Sequence, residues 1–116
     1  MFGTRPGTHP WRTRADPQLK RQWAGQHRPC ARCGQPIDYT APYWHTIHGR
    51  HIMNPHAYVE GHIIGLALAA HLGWTKAQAN APSNKQPECA RCSRRSGARE
   101  GRALQTGRRL TTSRQW

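Results

Sequence analysis

Four cysteines, eight histidines and five carboxylates are the residues of this 116-residue chain best suited to chemistry. The cysteines form two pairs with the same interior, Cys30-Ala-Arg-Cys33 and Cys89-Ala-Arg-Cys92. Two Cys-x-x-Cys pairs are the ligand spacing of a four-thiolate zinc site. The expectation is one structural Zn²⁺ held by Cys30, Cys33, Cys89 and Cys92. Two disulfides are the alternative, but residues 1–28 are polar and basic and contain no apolar export signal. A thioredoxin-like redox pair would need a preceding buried strand in a βαβ unit, and neither pair has one. Zinc bound by four thiolates contributes roughly 10–16 kcal/mol at neutral pH, comparable to the whole stability of a small domain.

The carboxylates are Asp16, Asp38, Glu60, Glu88 and Glu100. So few leave little for a glycosidase or a two-metal nuclease to work with. Histidine is plentiful instead. A phosphodiester hydrolase needs a base for the attacking water and a cation for the charge on the phosphate, and one histidine with a few oxygen ligands can supply that.

The elements that must position these groups are short. Hydrophobic residues make up 35% of the chain, with 11 Gly and 9 Pro, too little apolar side chain for a large core without a staple. Residues 1–28 lack periodicity and read as a flexible basic arm, with a helical turn at most over Pro17–Trp23. Gly34 closes the first knuckle with a positive φ. Tyr58–Ile64 is β-branched and aromatic enough for a strand, bent or bulged at Gly61. A helix is predicted over Leu66–Leu72, and Thr75-Lys76-Ala77-Gln78 has the spacing of a capping box. Pro82 ends that helix and leaves Asn84 in a loop. The last helix is predicted from Pro87 or Glu88 to about Leu104, with Cys89 and Cys92 in its first turns, before a basic tail at 105–116. Trp44, Tyr58 and Trp74 read as core or hinge aromatics, whereas Trp11, Trp23 and Trp116 either stack on bases or dock to the domain.

The formal charge is +13 and lies in two flanks. Six cations oppose Asp16 in residues 1–28, and eight arginines oppose Glu100 from Cys89 onward, while the middle is nearly neutral. Fifteen of the 18 cations are Arg, which binds phosphate bidentately. A nucleic-acid partner is therefore expected, with a solvated basic surface or an acidic-lipid binder as the alternatives. No run approaches the roughly 20 apolar residues of a membrane span.

One combination of these motifs is specific. Cys30-x-x-Cys33, Val59-Glu60-Gly61-His62-Ile63-Ile64 and Asn84-x-Gln86-Pro87-x-Cys89-x-x-Cys92-Ser93 together resemble the HNH (His-Me finger) endonucleases over about residues 29–100. More narrowly, the chain is similar to the small zinc-knuckle HNH proteins of actinobacterial tailed phages. The resemblance implies a small α+β domain over 29–104: a ββα-metal finger stapled by the four-cysteine zinc. It implies a DNA endonuclease in which His62 is the general base and Asn84 keeps the finger's loops and the base in register. Gly61 and Ser93 stand where the family has its metal ligands. Glu60, brought round by a bulge at Gly61, is then expected to hold one catalytic Mg²⁺ or Mn²⁺ with Ser93 or water, and His56 is a further candidate ligand. Arg91, Arg94, Arg95, Arg99 and Arg102 are expected to bind the DNA backbone, and the protein to work in the cytoplasm, a host's if phage-encoded. The rival expectation is a non-catalytic zinc-knuckle DNA-binding protein with the same fold and charge.

Overall fold

The computed structural model describes residues 9–105. Helix α1 (Pro17–Gly25) is followed by a hairpin of β1 (Trp44–Ile47) and β2 (Arg50–Met53). Strand β3 (Tyr58–His62) leads to two short helices, α2 (Leu66–His71) and α3 (Lys76–Ala79). After a single 3₁₀ turn (Pro82–Asn84), β4 (Lys85–Cys89) runs directly into α4 (Ala90–Gln105). The chain is thus a small α+β protein with two separate two-stranded antiparallel sheets, β1–β2 and β3–β4.

Local sequence explains most of these elements. Asp16 caps α1 by accepting from Gln18 N at 2.9 Å, with Pro17 at the first helical position. The Thr75–Gln78 capping box forms as expected, each side chain bonding the other residue's backbone. The β1–β2 turn places His48 and Gly49 at φ 51° and 75°. Positive φ at both central residues is what a tight hairpin following the strand twist requires.

Three expectations are corrected. Lys85–Cys89 is a strand, so the last helix starts at Ala90 and Cys89 lies before it. Pro87 is tolerated because its carbonyl faces away from β3 and accepts from Ala31 N at 2.9 Å. In an antiparallel strand a residue's N and C=O point the same way, so the missing N–H costs no ladder bond. Second, residues 9–28 are docked rather than loose: Pro17–Gly25 is helical, Trp23 is buried against Tyr58, and Trp11 packs on Leu66, Ala69 and Ala79. Residues 1–8 of the expected arm lie outside the described residues, as does the expected tail beyond Gln105. Third, Trp44 is no core aromatic; it stands 51% exposed on the β1–β2 hairpin.

The core is small and unusually polar. Its apolar clusters are Cys30, Cys89 and Cys92 with Ile37, and Leu66, Ala69 and Ala79 with Trp11, Ile64 and Trp74. The largest fully buried side chains are Glu88, Pro87, Cys30 and Cys89. Apolar burial alone does not hold such a structure; a cysteine cluster and a buried polar network must contribute.

Candidate functional site

The β3–β4 ribbon carries one set of candidate groups at each end. Its register pairs Tyr58 with Cys89, Glu60 with Pro87 and His62 with Lys85. Side chains alternate, so Tyr58, Glu60, His62, Lys85 and Cys89 share one face, and Val59, Gly61, Gln86 and Glu88 the other.

At the Tyr58–Cys89 end the four cysteines converge. Their sulfurs all lie within 4.8 Å of one another, and none is in a disulfide. Cys33 Sγ and Cys89 Sγ are 3.9 Å apart, close to the ~3.8 Å edge of a tetrahedron with zinc–sulfur bonds of 2.3 Å. The donor set and its spacing fit a structural metal ion such as zinc. The knuckle is shaped by Gly34 N donating to Cys30 O at 2.9 Å, with Gly34 at φ 76°. Ala31 hangs it on β4, and Ala90 N and Arg91 N donate to the Ala57 and Pro55 carbonyls, which fixes the start of α4. Burial and the neighbouring thiols push Cys92 up to about 12, whereas the Gln35 backbone N–H holds exposed Cys33 at about 7. Burial raises Cys89 as well, so a bound cation displaces protons that Cys89 and Cys92 otherwise keep.

At the other end His62 is only 9% exposed. Its Nε2 lies 3.2 Å from Asn80 Oδ1. Asn80 Nδ2 donates to Trp11 O at 2.9 Å and Lys76 O at 3.1 Å, which fixes the orientation of the carboxamide. An oxygen therefore faces the imidazole, His62 donates from Nε2, and Nδ1 keeps the basic lone pair. Burial first, then the Arg12 and Lys85 charges, lower the imidazole pKa below its ordinary value, against Asn80 and Glu60, so the ring stays neutral at neutral pH.

Asn84, buried at 6% exposure, bonds the chain on both sides of this site. Its Oδ1 accepts from Ile64 N at 2.9 Å, and its Nδ2 donates to Ile64 O at 3.0 Å and Ala79 O at 2.8 Å. It ties the Ile64 and Ala79 backbones together, and no hydrogen bond links it to the His62 ring. Asn80, which holds the ring, carried no signal in the sequence beyond its place in a loop-forming stretch.

Glu60 does not form a cation site with Ser93. Its carboxylate is committed to Lys85 Nζ at 3.0 Å and Asp16 N at 2.8 Å, and no bulge turns it toward Gly61's face. Ser93 is half-buried on α4. Exposed His56 lines a groove with Pro36, Ile37 and Asp38. Among the described residues the four cysteines are the one convergent group of three or more His, Cys, Asp or Glu. The expected Mg²⁺ or Mn²⁺ is thus not matched by the residues expected to hold it.

Gly61 shows where a carboxylate does stand. A Cβ at Gly61 would collide with the Glu88 carboxyl group, and one at Gly65 with the Glu100 carboxyl. Glu88 is 2% exposed and is clamped by Arg32 Nε at 2.9 Å and Gln86 Nε2 at 2.8 Å. Arg32 Nη2 also donates to the His62 carbonyl at 3.2 Å. A residue of the first knuckle therefore reaches the far end of the ribbon. Burial pushes the Glu100 carboxyl up, and the Arg32 charge opposes that.

Helix α4 is amphipathic. At 100° per residue, Arg91, Arg94, Arg95, Arg99 and Arg102 fall within an arc of about 140°. All five are exposed, while Cys92, Ser93, Ser96 and Glu100 on the other side are at least half-buried. Comparison with family models, curated proteins and solved structures gives no match. No helix among the described residues is long and apolar enough to cross a membrane.

Proposed function

We propose that this protein binds DNA through the arginine face of α4 and hydrolyses a backbone phosphodiester with His62 as general base. One observation carries the reading: Asn80 holds an uncharged, largely buried imidazole by Nε2, which leaves Nδ1 as a proton acceptor. A base at neutral pH needs both neutrality and a fixed lone pair. The antiparallel β3–β4 ribbon running into α4, with His62 on the first strand, supports the HNH-like reading made from the sequence. Zinc in the four-cysteine site would hold the ribbon's other end and take no part in the reaction.

Water deprotonated at His62 Nδ1 attacks phosphorus, the P–O bond to one sugar oxygen breaks, and that oxygen leaves with a proton from solvent, to which His62 returns its own. Guanidinium groups take up charge on the phosphate oxygens. The Mg²⁺ or Mn²⁺ that the resemblance implies finds no matching ligand set among the described residues. Glu88 is the carboxylate nearest Gly61, and a cation there would have to compete with Arg32. The rival reading, a zinc-knuckle module that binds DNA without cutting it, is favoured by the commitment of Glu60 to Lys85 and Asp16.

The test is incubation of zinc-loaded protein with single-stranded, double-stranded and branched DNA, with Mg²⁺, with Mn²⁺ and with neither. Cleavage that falls by about 10²–10⁴ in His62→Ala, with DNA affinity retained, supports hydrolysis. Binding without cleavage above that variant's background under every condition leaves the binding module. For binding, contact with about six to ten phosphates gives a slope of log K against log salt of roughly −5 to −9.

A further inference from the structure

We propose that residues 9–16 form a wall of the His62 site and that Arg12 is its phosphate-binding cation, the residue that positions a DNA phosphodiester against the imidazole. This deepens the hydrolase reading and rests on it for the reaction, though not for the binding.

The segment is fixed on both sides of Arg12. Before it, Trp11 packs on Leu66, Ala69 and Ala79, and its carbonyl accepts from Asn80 Nδ2. After it, Asp16 N donates to Glu60 Oε2 at 2.8 Å. The backbone turns into Arg12 over residues 9–12, with Arg12 N donating to His9 O at 2.8 Å. The same Asn80 carboxamide thus holds the His62 ring with its oxygen and the carbonyl preceding Arg12 with its nitrogen. That juxtaposition places residue 12 beside the imidazole, and the Arg12 charge is felt there.

The charge is also uncompensated. Arg12 is exposed, and its guanidinium has no hydrogen bond or ion pair to any described residue. The neighbouring carboxylates are occupied: Glu60 binds Lys85 and the Asp16 N–H, and Asp16 caps α1. No anion of the site is left for Arg12, so its partner comes from outside. A phosphodiester fits, because a guanidinium pairs with non-bridging oxygens while the neighbouring Nδ1 keeps a lone pair for the proton of the attacking water. Lys85 cannot substitute, being 8% exposed and paired.

The experiment follows the His62 and Arg12 side-chain signals by NMR as a 10-base-pair duplex is added to the zinc-loaded chain without further metal. Arg12→Gln is compared with Arg14→Gln, and backbone spectra verify that both variants are folded. Both side chains should respond with one dissociation constant in the unmodified protein. In Arg12→Gln, at saturating DNA, the His62 response should vanish while the α4 arginines still respond, and affinity should fall about tenfold or more. Arg14→Gln should keep the His62 response. A His62 response equal in Arg12→Gln and the unmodified protein, or absent from both, overturns the proposal. An Arg12-dependent response with no cleavage under any metal condition upholds the phosphate site and removes the hydrolase reading.

Discussion

The two ends of the β3–β4 ribbon are four residues apart on β3, yet they are held by different physics. At Tyr58 and Cys89 the fold converges on sulfur atoms whose spacing suits a metal ion. At His62 and Lys85 it converges on carboxamides, with Asn80 and Asn84 making the bonds. A metal clasp is strong and indifferent to small changes around it. A hydrogen-bonded end is weaker, but it orients one nitrogen of one ring. Arg32 joins the two ends, since it leaves the first knuckle to bind both Glu88 and the His62 carbonyl.

The largest effect should come from breaking the cysteine end. Cys89→Ser, or treatment of the zinc-loaded protein with a chelator, should abolish the cooperative thermal transition seen by circular dichroism, because zinc held by four thiolates contributes roughly 10–16 kcal/mol. A native transition after metal removal would place the stability elsewhere. Asn84→Ala should come next, at about 2–4 kcal/mol in denaturant titration, since it leaves Ile64 N, Ile64 O and Ala79 O without partners. Asn84→Asp should not rescue the loss, because it restores only the acceptor.

Asn80→Ala should cost less, about 1 kcal/mol, its surroundings being part-exposed. It should scramble the imidazole instead. Nitrogen-15 chemical shifts should report the Nε2–H form of His62 in the unmodified protein and a tautomer mixture in the variant. Smaller again is a pH effect. His62 is held below its ordinary 6.5 in the fold, so as the pH falls the unfolded chain takes up this proton first. Its contribution to stability is unchanged above about pH 6.5 and declines below it until the folded-state value is passed. His62→Gln should flatten that decline in denaturant titrations. Smallest should be Trp44→Ser on the β1–β2 hairpin, within about 0.5 kcal/mol. A larger loss would mean that the hairpin contributes to the ribbon's stability.

The cysteine end was legible in the sequence because a Cys-x-x-Cys pair is a local signal, and two pairs sharing one ion was the natural reading. The β3 strand, α2 and the Thr75 capping box were legible for the same reason. What was hidden depended on distant partners. β4 reads as polar and proline-bearing, and only the Ala31 bond to the Pro87 carbonyl shows why proline is harmless there. Trp11 and Trp23 sit in an aperiodic stretch whose docking partners are about 35–70 residues away. Glu60 was expected at a cation by way of a bulge at Gly61, but the strand pairs regularly there and Lys85 and Asp16 hold the carboxylate. The β1–β2 hairpin did leave a signal: a Gly after His48, flanked by Trp-His-Thr-Ile and His-Ile-Met, is a tight turn between two strands.

The contact between Gly61 and Glu88 also constrains how this sequence can drift. A side chain at position 61 enters space now filled by the carboxyl group of position 88, so a change at 61 requires that carboxyl to move or to shorten. Arg32 and Gln86 both bind it, and they lose their partner if it goes. A substitution on one strand is thus transmitted across the ribbon, through the Glu88 carboxyl, to a residue of the first knuckle.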